Sequence, residues 1–187
     1  MLISKRKLFV GIDESNHGKY PEIFVAAYSN KEEYSIYLQN PIKKDRKHLE
    51  LNEKLRKVRY NFLILQEYDI NRMKEVIKKD KRINLSVRSI VFSSLLKGIT
   101  RYYKDYSLEI LIDGDLKIEE LKSTKSLISK IERIPEENIF LYSGIKFDEH
   151  ILIVNYADEI AHFLFRKKTL EDIISEKYCS IRKELIL

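Results

Sequence analysis

The sequence predicts an α/β fold: a mixed sheet flanked by helices, forming a single domain over residues 1–187. Three observations carry that expectation. Short apolar runs bounded by turn residues cluster near the N-terminus, and apolar strands then alternate with helical periodicity. No Pro/Gly/Ser-rich linker, repeat or low-complexity tract divides the chain, and 187 residues suit one core.

Lys7–Ile12 is a short apolar run that closes on Asp13-Glu14 and reads as a buried strand. A polar turn with Gly18 and Pro21 leads to a second strand over Glu22–Tyr28, and Glu33–Leu38 alternates as a third, which together form an antiparallel meander. Residues 41–57 are charged and read as a loose helix or a basic loop. Tyr60–Gln66 is another strand, and Asp69 caps a short helix through Lys79. Asn84 or Ser86 starts a stronger helix whose apolar face is Val87, Ile90, Val91, Leu95 and Ile99, with Tyr102-Tyr103 packing against it. Leu108–Ile112 is a strand stopping at Asp113-Gly114-Asp115, where Asp115 caps a helix over Leu116–Arg133. A strand over Asn138–Tyr142, a helix over Ile151–Arg166 and an amphipathic helix from Thr169 to the C-terminus complete the reading.

Composition narrows the functional classes. Hydrophobic residues make up 44% and aromatics 11%, too many for a disordered chain despite 34% charged residues. The single Cys179 excludes a disulfide framework and a Cys-rich zinc site, and it fits a reducing compartment. No apolar run approaches the roughly 18 residues of a membrane span, and Met1–Lys7 lacks the apolar stretch of a signal peptide. A soluble, cytoplasmic protein is expected. There is neither a Gly-rich phosphate loop nor a Gly-x-Ser-x-Gly elbow. The net charge of +6 is unevenly spread: residues 41–88 hold 15 Lys+Arg against 7 Asp+Glu. A solvated pair of helices accounts for that excess by itself. Beside an acidic centre, the same segment becomes a wall for a polyanion.

Acidic residues stand where a site in such a sheet is expected. Asp13-Glu14 closes the first strand, Asp113 closes the later buried one, and Asp148 precedes the helix at Ile151. Strand ends are where ligands bind in open α/β sheets. Carboxylates gathered there repel one another unless a cation lies between them, and hard oxygen ligands favour Mg²⁺ or Mn²⁺ over zinc. Two such ions about 3.5–4 Å apart activate water and stabilise the leaving oxygen of a phosphodiester. Neighbouring strand residues face opposite ways, so Asp13 and Glu14 share one site only where the strand breaks, and Ser15-Asn16 and Gly18 are suited to such a break. Taken singly, each acid also reads as an ordinary strand-end or turn residue.

Gly11-Ile12-Asp13-Glu14-Ser15-Asn16-His17-Gly18, followed by Ile23-Phe24-Val25-Ala26-Ala27, resembles the opening of type 2 ribonuclease H (ribonuclease HII). Leu111-Ile112-Asp113-Gly114 and Lys146-Phe147-Asp148 resemble its later acidic motifs, and Asn155–His162 stands at the offset of its small-residue helix. The resemblance runs over about residues 7–166. It implies a ribonuclease H-like sheet and metal-dependent cleavage of RNA paired with DNA, with Asp13, Glu14, Asp113 and Asp148 as catalytic metal ligands for Mg²⁺ or Mn²⁺. Asn16, His17, Gly18 and Lys146 are implied to touch the substrate. Asn16-His17-Gly18 stands where that family has Gly-Arg-Gly. Asp158 replaces a family Ser and adds a carboxylate near the centre, and His162 replaces a Lys. The Asp-Glu-Ser opening and the Ala157-Asp158 helix are also similar to a broad set of ribonuclease H-fold proteins that begin Asp-Glu-Ser-Gly.

The expectation is therefore a divalent-metal nuclease acting on RNA or an RNA/DNA hybrid. The alternative is a catalytically degenerate ribonuclease H-fold domain that binds nucleic acid or acts as a scaffold; an interaction domain with no nucleic-acid role is the third reading.

Overall fold

A computed structural model describes residues 6–15, 19–42, 58–79, 85–103, 105–166 and 180–182. Six strands form one sheet: β1 (Arg6–Ser15), β2 (Glu22–Ser29), β3 (Arg59–Leu65), β4 (Tyr106–Asp113), β5 (Ile139–Gly144) and β6 (Ser180–Arg182), in the order β5-β4-β1-β2-β3-β6. β1, β2 and β3 are an antiparallel meander, while β4 and β5 run parallel to β1, and β6 runs parallel to β3. Helices α1 (Glu67–Lys79), α2 (Val87–Leu96), α3 (Ile118–Glu132), α4 (Phe147–His150) and α5 (Leu152–Phe165) complete the expected mixed α/β architecture.

The central strand is covered on both faces, which is why Leu8 to Asp13 is buried without a polar interruption. Leu8, Val10 and Ile12 face the layer of α2 and α3, alongside Ile110, Ile112 and Ala26. On the other face Val25, Ala27, Phe62 and Leu111 pack against Val154, Ala157, Ile160 and Leu164 of α5. Ser86 caps α2 by accepting the Ser89 amide at 3.1 Å, as the sequence suggests. From Ser89 to Leu96 every residue of α2 is buried. Ser89 is satisfied where α3 crosses: its Oγ lies 2.7 Å from Ser123 Oγ and accepts from Thr124 Oγ1 at 3.1 Å.

Several local expectations change. Glu33–Leu38 is not a strand: Glu32–Tyr34 is a 3₁₀ turn, and Tyr37 makes only an isolated bridge to Ile151. Tyr34 is pulled into the α5 layer, edge-on to Tyr156 at 5.6 Å, so tertiary packing overrides the alternation. Asp69 lies inside the first turn of α1 and reaches back to the Gln66 amide at 2.9 Å, the work of a third helical residue. Asp115 does not cap α3; Lys117 begins it, and Glu120 accepts the Lys117 amide at 3.2 Å. Residues 180–182 are strand where a helix to the C-terminus was expected, because they complete the edge of β3. The readings of a helix or loop over 43–57 and of a helix over 169–179, including Cys179, lie outside the described residues.

One contact sets the distance between layers. A Cβ on Gly11 would overlap the backbone of Ile153 and Val154, so α5 lies directly against β1 there. Gly11→Ala is expected to cost about 3 kcal/mol or more by forcing the helix outward, read as a lower urea midpoint at unchanged slope. A midpoint equal to wild type would show that the helix yields without penalty.

Candidate metal centre at the strand ends

β1 and β4 are parallel neighbours in register from Arg6↔Tyr106 to Ile12↔Ile112, so the next residues, Asp13 and Asp113, end up side by side. The chain must then leave β4 sharply. Gly114 does this at φ +101°, a conformation other residues avoid, and its amide donates to the Gly144 carbonyl at 3.1 Å. β5 ends beside Asp113, with Gly144 in register with it. Lys146, at φ +66°, then turns the chain into α4. That turn presents the Asp148 amide to Asp113 Oδ1 at 3.3 Å. Asn155, fully buried at the start of α5, donates from Nδ2 to the Asp148 carbonyl at 2.9 Å and holds α4 against α5.

α5 supplies the third carboxylate. Asp13, Asp148 and Asp158 each offer an oxygen, and these atoms lie within 4.8 Å of one another. Asp13 is the deepest, at 7% exposure. Its Oδ1 accepts the Glu14 amide at 2.6 Å, which favours the ionised form. Burial nevertheless pushes its carboxyl up to about 9, with the negative charges of Asp158, Asp113 and Asp148 adding to the effect. Asp113 is raised for the same reasons, burial first and Asp148 next, against the opposing amides of Asp148 and Phe147. Hard oxygen donors, close spacing and a buried carboxyl that resists ionisation among like charges together fit a small divalent cation.

Of the residues assigned from sequence, Asp13 and Asp148 meet, and Asp113 is bonded to the Asp148 backbone. Asp158, which the sequence placed near the centre, is part of the three-carboxylate group itself. The break expected after Asp13 is absent: pairing with β2 continues through Glu14↔Phe24 and Ser15↔Ile23. Glu14 therefore belongs to the opposite face from Asp13. It lines a small open cleft together with Arg88, Phe92 and Leu116, and Asp13 and Asp113 border the same cleft. Lys146 stands exposed at the rim, its Nζ 3.6 Å from Glu149. Asn16, His17 and Gly18 lie outside the described residues.

Sequence reasoning missed the hydrogen-bonding role of Asn155 and the position of Arg88 in the cleft lined by Glu14. Asn155 lies three residues before Asp158, a same-face spacing that marks it as a partner, whereas no spacing in the sequence connects Arg88 to Glu14.

No family model and no curated protein matches the chain. Among solved structures it is similar to the ribonuclease HII of Archaeoglobus fulgidus, determined as a complex with PCNA. That match has a TM-score of 0.55 and 16% identity, over 89% of this chain and 76% of that one. It is also similar to the ribonuclease H2 of Pyrococcus horikoshii OT3, with a TM-score of 0.51 and 17% identity, over 90% of this chain and 76% of that one. The fold is thus ribonuclease HII-like, as the ordered motifs implied.

The raised Asp13 carboxyl gives a signed prediction. Without divalent cations the folded state keeps a proton on Asp13 that the unfolded chain releases near pH 4, so stability falls as pH rises from about 4 to about 9. Asp13→Asn should raise the melting temperature at pH 8 by about 5 °C or more and leave it nearly unchanged at pH 4. Melting curves in chelator at both pH values test this; parallel behaviour of the two proteins would refute it.

Proposed function

We propose that this protein is a divalent-metal-dependent nuclease that cleaves the phosphodiester backbone of RNA, with an RNA/DNA hybrid as the first substrate to test. One observation carries the reading: three aspartate carboxylates meet at the ends of parallel strands in a ribonuclease HII-like fold, the deepest of them held largely protonated by its surroundings.

Asp13, Asp148 and Asp158 are the residues that would hold a Mg²⁺ or Mn²⁺, with Asp113 beside them, whereas Glu14 lies on the opposite face of β1. Bound cations of this kind supply charge stabilisation to a phosphodiester and activate water for attack. The protein's own part is to pre-position the oxygens. The Asp13 carboxylate is fixed by the Glu14 amide and that of Asp113 by the Asp148 amide, while Asn155 holds the Asp148 backbone carbonyl. Asp13 gives up its proton when a cation replaces it, so metal affinity rises with pH. At the rim, the exposed Lys146 ammonium, 3.6 Å from Glu149, would meet a phosphate oxygen of the substrate. Asn16, His17 and Gly18 follow β1 directly in sequence and are assigned contact with the substrate strand.

The test is Mn²⁺-dependent cleavage of end-labelled RNA/DNA hybrid, single-stranded RNA and duplex DNA. Asp13→Asn should reduce cleavage by at least about a thousandfold with an unchanged far-ultraviolet spectrum, and calorimetry should show its Mn²⁺ binding weakened. Mn²⁺ binding without turnover on any of the three substrates would point to the degenerate, binding-only alternative. Cleavage that survives the substitution would remove the centre from the mechanism.

A further inference from the structure

The cleft behind Glu14 holds a charge that the metal reading does not use. It opens at the ends of β1 and β4, on the face covered by α2 and α3, and shares Asp13 and Asp113 with the carboxylate group. Its floor is apolar, from Phe92 and Leu116, both nearly fully buried. One wall is Glu14 and Asp113; on α2 stands Arg88, the only basic side chain lining it among the described residues. Arg88 is exposed, and no described carboxylate lies within ion-pair distance of it. A guanidinium kept apart from two acids across an open gap leaves room between them for a third group.

The size and chemistry of the gap limit what that group is. The cleft is a small, open notch and not a self-contained small-molecule site of roughly 300–1,000 Å³. An open notch of this kind admits one exposed group of a longer ligand that lies across its mouth. A bare anion would be repelled by Glu14 and Asp113. With a cation held by the neighbouring aspartates, an anion would gain from that charge and from Arg88, and a planar guanidinium binds phosphate through paired N–H donors. Arg88 and Phe92 are four residues apart on one face of α2, and Ser86 caps the helix just before them. The guanidinium is therefore anchored to a rigid, buried element rather than to a loop.

We propose that Arg88 binds a backbone phosphate of the nucleic acid in this cleft and seats the strand against the carboxylate centre. This rests on the nuclease reading and adds a substrate contact to it. The contact is electrostatic, so it adds to affinity and to salt dependence more than to the chemical step.

The experiment measures binding of a fluorescein-labelled RNA/DNA hybrid by anisotropy across a salt series, with Ca²⁺ in place of Mg²⁺ so that binding is read without turnover. Steady-state cleavage with Mn²⁺ is measured alongside. For Arg88→Ala the dissociation constant and KM should rise about tenfold, kcat should stay within about threefold, and the slope of log K against log salt should shrink by about 0.9, one phosphate contact. Arg88→Lys keeps the charge and should recover the slope with only part of the affinity. Because Arg88 is exposed, both variants should melt with wild type. Wild-type cleavage with an Arg88→Ala variant of unchanged affinity and slope would overturn the assignment alone. A wild-type protein that neither binds nor cleaves the hybrid would overturn the nuclease reading and this contact with it.

Discussion

The geometry of this protein depends on how closely one helix approaches one strand. At Gly11 there is no side chain, and the Ile153–Val154 backbone occupies the space a Cβ would need. That approach brings α5 onto the central strand two residues before Asp13. Asp158, one turn further along the same helix, then arrives over the strand end. The same docking fixes α4, because Asn155 on α5 holds the Asp148 carbonyl. Three carboxylates that are distant in sequence are thereby placed by one backbone contact and one side-chain hydrogen bond.

The electrostatic result is a strained arrangement. Asp13 is buried on a strand covered on both sides, and its neighbours Asp158, Asp113 and Asp148 are all acidic. Such a group neutralises itself with a proton or with a cation. The amides of Glu14 and of Asp148 offset part of the cost by bonding to Asp13 and Asp113. The remaining imbalance is what a cation would relieve, and in the proposed metal centre it would link proton release to metal uptake. On the opposite face the same strand ends meet an arginine, so the two sides of the sheet present different chemistry.

Much of this was legible in the linear sequence. β1, β2 and β4 are apolar runs that end on turn chemistry, and their order with the intervening helices matched the ordered motifs of ribonuclease HII. Residue type offered Asn84 or Ser86 as the start of α2, and the structure selects Ser86. What failed were weakly patterned segments. Glu33–Leu38 alternates like a strand, yet Tyr34 finds a better partner in Tyr156 than in a sheet edge. Residues 180–182 read as helix but pair with β3, a long-range contact that no local window contains.

The sequence by itself determined where the acidic strand ends lie, because a buried strand and the turn that stops it are local features set by neighbouring residues. Asp13 and Asp113 follow from that, as does their side-by-side placement once β1 and β4 are parallel neighbours. Only the tertiary structure decided which acids join them. The uninterrupted pairing of β1 with β2 sends Glu14 to the far face, where Arg88 waits across a cleft, and the close seat of α5 on Gly11 puts Asp158 beside Asp13 and Asp148. Register and interlayer distance are properties of elements packed together, and they have no counterpart in the spacing of residues along the chain.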